Sequence, residues 1–204
     1  MIELDLIQGS DAWHKARAGI PTASQFAKVI TAKTLKLSSQ ADAYENRLVA
    51  ERVSGHPCDD FGGTYWIERG KELEGDAVQL FGMLTGREVR HAGLILCDDK
   101  SFGGSPDGLI VGHKRGLELK CPKPETHVGY LLNPTGAYED YKPQVQGNLF
   151  ISGFDAWDVV SYHPDFRLSI YTAEPDKEYQ AALADALATM EKNIQAKILK
   201  VRGE

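Results

Sequence analysis

The amino-acid sequence predicts an α/β protein with α+β-like character: one mixed sheet flanked by helices, in a single domain spanning residues 1–204. Short β-rich runs bounded by Gly and Pro cluster between residues 87 and 122 and again between 156 and 172. Stretches with helical apolar spacing precede, separate and follow them, ending in an amphipathic run at 177–200. No internal repeat, low-complexity tract or linker-like composition divides the chain, and its length can bury one full core. The order helices, three-stranded meander, helix, strand, strand, helix is that of a mixed sheet with helical cover.

Residues 9–30 read as two short helices broken at Gly19-Ile20-Pro21, the first capped by Ser10 or Asp11 and the second by Thr22. Lys15 and Arg17 then lie near a helix end, and Ser24 lies in the first turn of the next helix. Two readings of this corner are open: an anion site built from a helix N-terminus, hydroxyls and Arg17, or plain capping with Arg17 paired to an acid. Residues 31–41 form a polar, basic, acid-free connector, either a surface loop or an arm touching backbone phosphates through Lys28, Lys33 and Lys36. Residues 42–53 read as a helix ending near Ser54-Gly55-His56-Pro57. A second helix runs from about Thr64 to Leu84, with Trp66, Leu73, Ala77, Leu80, Phe81 and Leu84 at helical spacing and Gly86 as its stop. Glu68, Glu72, Glu74 and Asp76 ride on it, mostly on a solvated face. Residues 87–98 give a strand, 123–133 a helix or loop, and 137–151 a helix that Pro143 starts or kinks. Strands at about 156–163 and 167–172 and the closing helix complete the chain.

The chemistry concentrates in Gly104-Ser105-Pro106-Asp107-Gly108-Leu109-Ile110 and Gly116-Leu117-Glu118-Leu119-Lys120-Cys121-Pro122, two strands joined by a turn around residues 112–116. Residues two apart on a strand share a face, so Glu118 and Lys120 point one way and Leu117 and Leu119 the other, into a core. A twisted hairpin brings Asp107 beside the pair. Carboxylates with a backbone carbonyl suit a hard cation such as magnesium, and a lysine alongside can orient or activate water for in-line attack on a phosphodiester. On spacing alone a plain hairpin with a turn-capping Asp and an exposed Glu–Lys pair is the stronger reading, because D…ExK is short. The specific flanks reverse that order.

Other chemistries are weaker. His91, Cys97, His113 and Cys121 lack the paired spacing of a structural zinc site, Cys121 before Pro122 looks structural rather than nucleophilic, and no phosphate-binding G-x-x-x-x-G-K-[ST] loop is present. A chain 42% hydrophobic and 25% charged is not a largely disordered one. The net charge of −6 argues against binding nucleic acid over the whole surface but leaves room for a local basic groove. Three scattered cysteines suggest reduced thiols in a cytosol, and no apolar run approaches membrane-spanning length.

With these residues assembled, the chain resembles the lambda-exonuclease (YqaJ-like) viral recombination nucleases of the PD-(D/E)xK nuclease superfamily. The resemblance rests on ordered blocks: Asp11-Ala12-Trp13-His14-Lys15-Ala16-Arg17 with Thr22-Ala23-Ser24; Arg69-Gly70-Lys71-Glu72-Leu73-Glu74 with Asp76-Ala77; the Ser-Pro-Asp-Gly and Leu-Glu-Leu-Lys-Cys-Pro segments; and Gln144-Val145-Gln146. It implies the restriction-endonuclease-like nuclease core, with Asp107, Glu118 and the Leu119 carbonyl as metal ligands. Lys120 would position or activate the attacking water, Glu74 would act as a second-metal or water-orienting acid, and Gln144 would complete the site. Arg17, Ser24 and Ser105 match the family's pocket for a 5′-terminal phosphate.

The activity so implied is 5′→3′ degradation of one strand of linear, 5′-phosphorylated duplex DNA. It would use two Mg2+ ions per site, with Mn2+ a possible substitute. The protein would be a ring-shaped homotrimer, partnered by a single-strand annealing protein, in the cytoplasm of a bacterium carrying the phage or prophage. Residues 31–40 have no counterpart in the pattern, so no duplex-splitting residue is assigned, and the C-terminal third matches too generally to place a trimer interface. Two alternatives stand beside this reading: an endonuclease or repair nuclease on the same core, and a catalytically silent DNA-end-binding recombination scaffold.

Overall fold

The computed structural model describes the backbone of residues 1–58 and 65–204; the side chains of Tyr65, Trp66, Ile67, Glu68 and Lys71 also lie outside the described residues. The expected helix start at Thr64, the apolar position Trp66 and the surface acid Glu68 therefore fall outside the description. Six α-helices are described: α1 (Asp11–Arg17), α2 (Ala41–Ser54), α3 (Tyr65–Thr85), α4 (Pro124–Leu132), α5 (Gly136–Ser152) and α6 (Lys177–Arg202). The strands are β1 (Ile2–Leu4), β2 (Val89–Arg90), β3 (Leu94–Leu96), β4 (Gly103–Gly104), β5 (Gly108–Ile110), β6 (Arg115–Lys120), β7 (Ala156–Ser161) and β8 (Ser169–Ala173). They form a five-stranded sheet ordered β2-β5-β6-β7-β8 and a three-stranded sheet ordered β1-β3-β4. Among the described strands only β6 and β7 pair in parallel, and α4 and α5 provide the crossover that such a pair requires.

The mixed sheet flanked by helices is as expected. Leu117 and Leu119 of β6 pack with Ala77 and Phe81 of α3, while Val145 and Leu149 of α5 pack with Trp157 and Val159 of β7. A third cluster joins Phe26, Tyr44 and Leu48 to Tyr179, Met190 and Ile194 of α6. Ser10, not Asp11, caps α1, its hydroxyl accepting from the Trp13 N–H.

Several expectations change. The strand expected over 87–98 divides into β2 and β3 in different sheets, because at Gly93 the chain presses on Leu6, whose carbonyl a Cβ would meet at 2.3 Å. The first strand of the hairpin likewise splits into β4 and β5 around Ser105-Pro106-Asp107, where Pro106 has no N–H to give a ladder. The second N-terminal helix is a 3₁₀ helix, Ala23–Lys28, and the Thr22 side chain does not cap it. Residues 31–41 close on themselves, with the Thr31 N–H bonded to Lys36 O and the Ser38 N–H to Val29 O. Leu84 is exposed. Pro143 lies inside α5, which continues through it, and β1 was too short to register as a pattern.

Candidate active site

Strand alternation on β6 turns Glu118 and Lys120 toward α5, and α5 answers with Gln144 and Asn148, one helical turn apart on one face. Glu118 is fully buried. Its Oε1 accepts from Lys120 Nζ at 2.7 Å and from Gln144 Nε2 at 2.5 Å, and its Oε2 from Asn148 Nδ2 at 3.4 Å. Lys120 Nζ also reaches Gln144 Oε1 at 3.5 Å and lies 4.4 Å from the centre of the Tyr141 ring. The pairing of Gly108 with Leu117 brings Asp107 level with this strand, and its Oδ2 accepts the Leu119 N–H at 2.6 Å. The exposed Glu–Lys pair of the plain-hairpin reading is therefore absent: the pair is roofed by a helix.

Burial dominates the electrostatics. It pushes the Glu118 carboxyl up to about 8, against the pull of Lys120, with Asp107 and Glu74 adding to the rise. Burial raises Asp107 too, opposed by Lys120, the Leu119 N–H and His91. For Lys120 burial works against the charge, but Glu118 and Asp107 outweigh it and hold the ammonium above its usual range. Burial first, then Glu74, lifts the Cys121 thiol to about 11, which removes it as a nucleophile at neutral pH.

Among the described residues no three or more His, Cys, Asp and Glu side chains are grouped for a metal. Two converging carboxylates are nevertheless the usual protein share of a magnesium site, the rest coming from water and substrate phosphate. Asp107 and Glu118, with Glu74 in their field, face one ammonium. The all-oxygen donor set of these carboxylates fits a divalent cation, whose charge would favour their deprotonated forms.

Asp107, Glu74 and His91 line one part of a cleft of about 650 Å³, whose wall continues to Trp13, Arg17, Thr22, Tyr44, Arg47 and Glu51. There Arg17 Nη2 donates to Thr22 Oγ1 at 3.2 Å and to Ser24 Oγ at 3.4 Å, and its guanidinium lies 3.9 Å from the centre of the Trp13 ring. Trp13 Nε1 donates to Ser105 Oγ at 3.0 Å, so the indole joins Arg17 to Ser105. Among the described residues Arg17 has no acidic ion-pair partner, unlike the capping reading of this corner. Burial lowers the Arg17 pKa, Tyr44 and Glu51 oppose that, and Arg47 adds to it.

The structure thus brings Asp107, Glu118, Leu119, Lys120 and Gln144 together, sets Glu74 in the cleft that Asp107 lines, and joins Arg17 to Ser24 directly and to Ser105 through Trp13. Sequence reasoning missed Asn148, Tyr141, Trp13 and Arg47 as neighbours of these groups. The four-residue step from Gln144 to Asn148 was the available signal for one; Arg47 gave none.

Residues 12–155 match the family model of the YqaJ-like viral recombinase domain. No curated protein matches the chain. Among solved structures it is similar to an alkaline exonuclease, LHK-Exo, from Laribacter hongkongensis, at 27% identity over 95% of this chain and 96% of that chain, with a TM-score of 0.83. The same exonuclease in complex with dAMP gives 28% identity, the same coverage and a TM-score of 0.83. A phage related exonuclease from Haemophilus somnus 129PT, 16% identical over 89% of this chain and 96% of that one, shares the fold at a TM-score of 0.71.

Proposed function

The chain belongs to the YqaJ-like viral recombinase domain family, and from that premise we propose that it is a magnesium-dependent 5′→3′ exonuclease on linear double-stranded DNA. The observation that carries the proposal is the buried Glu118–Lys120 pair, joined by Gln144 and by Asp107, which lines a cleft that Arg17 also lines. The exonuclease names of the solved relatives support the reaction class.

Asp107, Glu118 and the Leu119 carbonyl would hold magnesium, which supplies polarisation of the phosphate and stabilises the charge that develops on it. Gln144 and Asn148 fix the Glu118 carboxylate, and Asp107 is fixed by the Leu119 N–H. Lys120, 2.7 Å from Glu118, would position or activate the attacking water and offset phosphate charge. Water adds to phosphorus, the P–O3′ bond breaks, and the departing O3′ takes a proton. The products are a 5′-mononucleotide and a new 5′ phosphate.

Arg17, Ser24 and Ser105 would hold that terminal phosphate, so each cut generates the group that registers the next bond against Asp107 and Glu118. Directional digestion leaves a 3′ single strand for annealing. A ring-shaped homotrimer and a single-strand annealing partner, in the cytoplasm of a bacterial host, complete the proposal by family likeness. Among the described residues no helix is long and apolar enough to cross a membrane.

Lys120→Ala is expected to abolish magnesium-dependent nucleotide release from linear duplex, and closed circular duplex should remain intact with the unaltered protein. The fold should survive, because Glu118, already raised to about 8, can take up a proton when its partner is lost. Wild-type cleavage by the variant would contradict the assignment, and nicking of the closed circle would instead favour an endonuclease.

A further inference from the structure

We propose that Glu51 and Arg52 of α2 are positioning residues for the phosphate-binding corner, acting through Gly19. The inference rests on the reading of Arg17 as the contact to the terminal phosphate. Arg17 ends α1, its hydroxyl partners Thr22 and Ser24 lie just beyond, and the turn between them sets whether the guanidinium and hydroxyls converge.

That turn is held at a single residue. Gly19 has φ +73°, its N–H donates to Glu51 Oε2 at 2.7 Å, and its carbonyl accepts from Arg52 Nε at 2.7 Å. Both polar groups of one glycine are thus bound by consecutive side chains of one helix. A Cβ at Gly19 would stand 2.6 Å from Arg52 Cγ, so the turn sits directly on the arginine stem. A third residue of α2, Tyr44, accepts the Thr22 N–H through its hydroxyl at 3.2 Å. Helix α2 therefore grips the corner on both sides of the bend.

Consecutive helix positions diverge by about 100°, and the two side chains go separate ways beyond Gly19. Glu51 is buried and also accepts from Arg47 Nε and the Cys58 N–H, each at 3.1 Å. Its charge is directed at N–H donors rather than at an incoming phosphate. Arg52 forms a two-pronged pair with Glu191 of α6, both contacts at 2.8 Å. The chain of contacts runs from α6 through Arg52 to Gly19, and so to the bend behind Arg17.

The test compares kcat and KM on duplexes with 5′-phosphate and 5′-hydroxyl ends, and Tm, for the unaltered protein, Arg17→Ala, Arg52→Ala, Glu51→Gln and the exchange Arg52→Glu/Glu191→Arg. Arg17→Ala should lose the preference for phosphorylated ends. Arg52→Ala and Glu51→Gln should each lower it about tenfold, the scale of one charge-assisted hydrogen bond, chiefly through KM for phosphorylated ends. The exchange should restore the α2–α6 ion pair and its Tm without restoring the preference, because a carboxylate cannot donate to the Gly19 carbonyl. Wild-type preference in Arg52→Ala and Glu51→Gln, with Arg17→Ala impaired, overturns the positioning role alone. Preference regained by the exchange overturns the route through Gly19. Wild-type preference in Arg17→Ala overturns the phosphate reading itself, and the positioning role with it.

Discussion

Asp107 serves two purposes that substitution can separate. Its Oδ2 accepts the N–H of Leu119, a residue only 5% exposed, and its charge adds to the field that raises Glu118. Asp107→Ala removes both. The stranded N–H costs about 1–3 kcal/mol, partly offset by the repulsion relieved at Glu118. For a chain of this size each kcal/mol moves Tm by about 2–4 °C, so a fall of roughly 2–12 °C is expected before that offset. Asp107→Asn keeps an oxygen for the Leu119 N–H and removes a buried negative charge, so its Tm in chelator should equal or exceed that of the unaltered protein. Both variants should lose cleavage, because neither retains the charge that holds the cation. The assay is thermal denaturation in chelator and in magnesium, alongside digestion of linear duplex. Equal destabilisation by Asn and Ala, or wild-type cleavage by either, would refute the division of roles.

Other expectations follow from positions away from the carboxylates. A Cβ at Gly147 would meet Phe26 Cδ2 at 2.4 Å and Ala23 Cβ at 3.2 Å; Gly147→Ala should force α5 and the 3₁₀ helix apart and cost about 1–3 kcal/mol, measurable as a lower urea midpoint, and an unchanged midpoint would contradict the tight packing. His127 is buried, with Nδ1 against Ser161 Oγ at 2.7 Å and Nε2 against the Arg167 carbonyl at 3.0 Å. Burial lowers its pKa from 6.5; the hydrogen bond to Arg167 opposes this, and the charges of His163 and Arg167 add to it. Below about pH 6.5 the unfolded chain therefore binds more protons at this site than the folded one, and stability falls as pH drops toward the lowered folded value. His127→Gln should flatten that acid slope in urea titrations, and an identical slope would exclude His127 as its source.

What was legible in the sequence was local. Alternation on β6 put Glu118 and Lys120 on one face, Ser10 or Asp11 marked the start of α1, and Gly55 and Gly86 marked helix ends that close with positive φ. Less legible were features that depend on distant partners. Nothing between residues 87 and 98 signals that Gly93 must lie against Leu6, so the change of sheet was hidden. The burial of Glu118 depends on α5 closing over β6, and its contact with Asn148 spans 30 residues. Thr22 has the type of a capping residue, but its hydroxyl is taken by Arg17. The grip of α2 on Gly19 joins residues 32 and 33 positions apart, and neither partner stands in a motif.

The most direct test of the central claim is digestion of linear duplex labelled at one 5′ or one 3′ end, with and without a 5′ phosphate, in magnesium. The account predicts early release of the 5′ label as a mononucleotide, a 3′ label retained in shortening strands, faster digestion of phosphorylated ends, and none of this with Lys120→Ala. Early release of the 3′ label, internal fragments, or undiminished release by Lys120→Ala would contradict it.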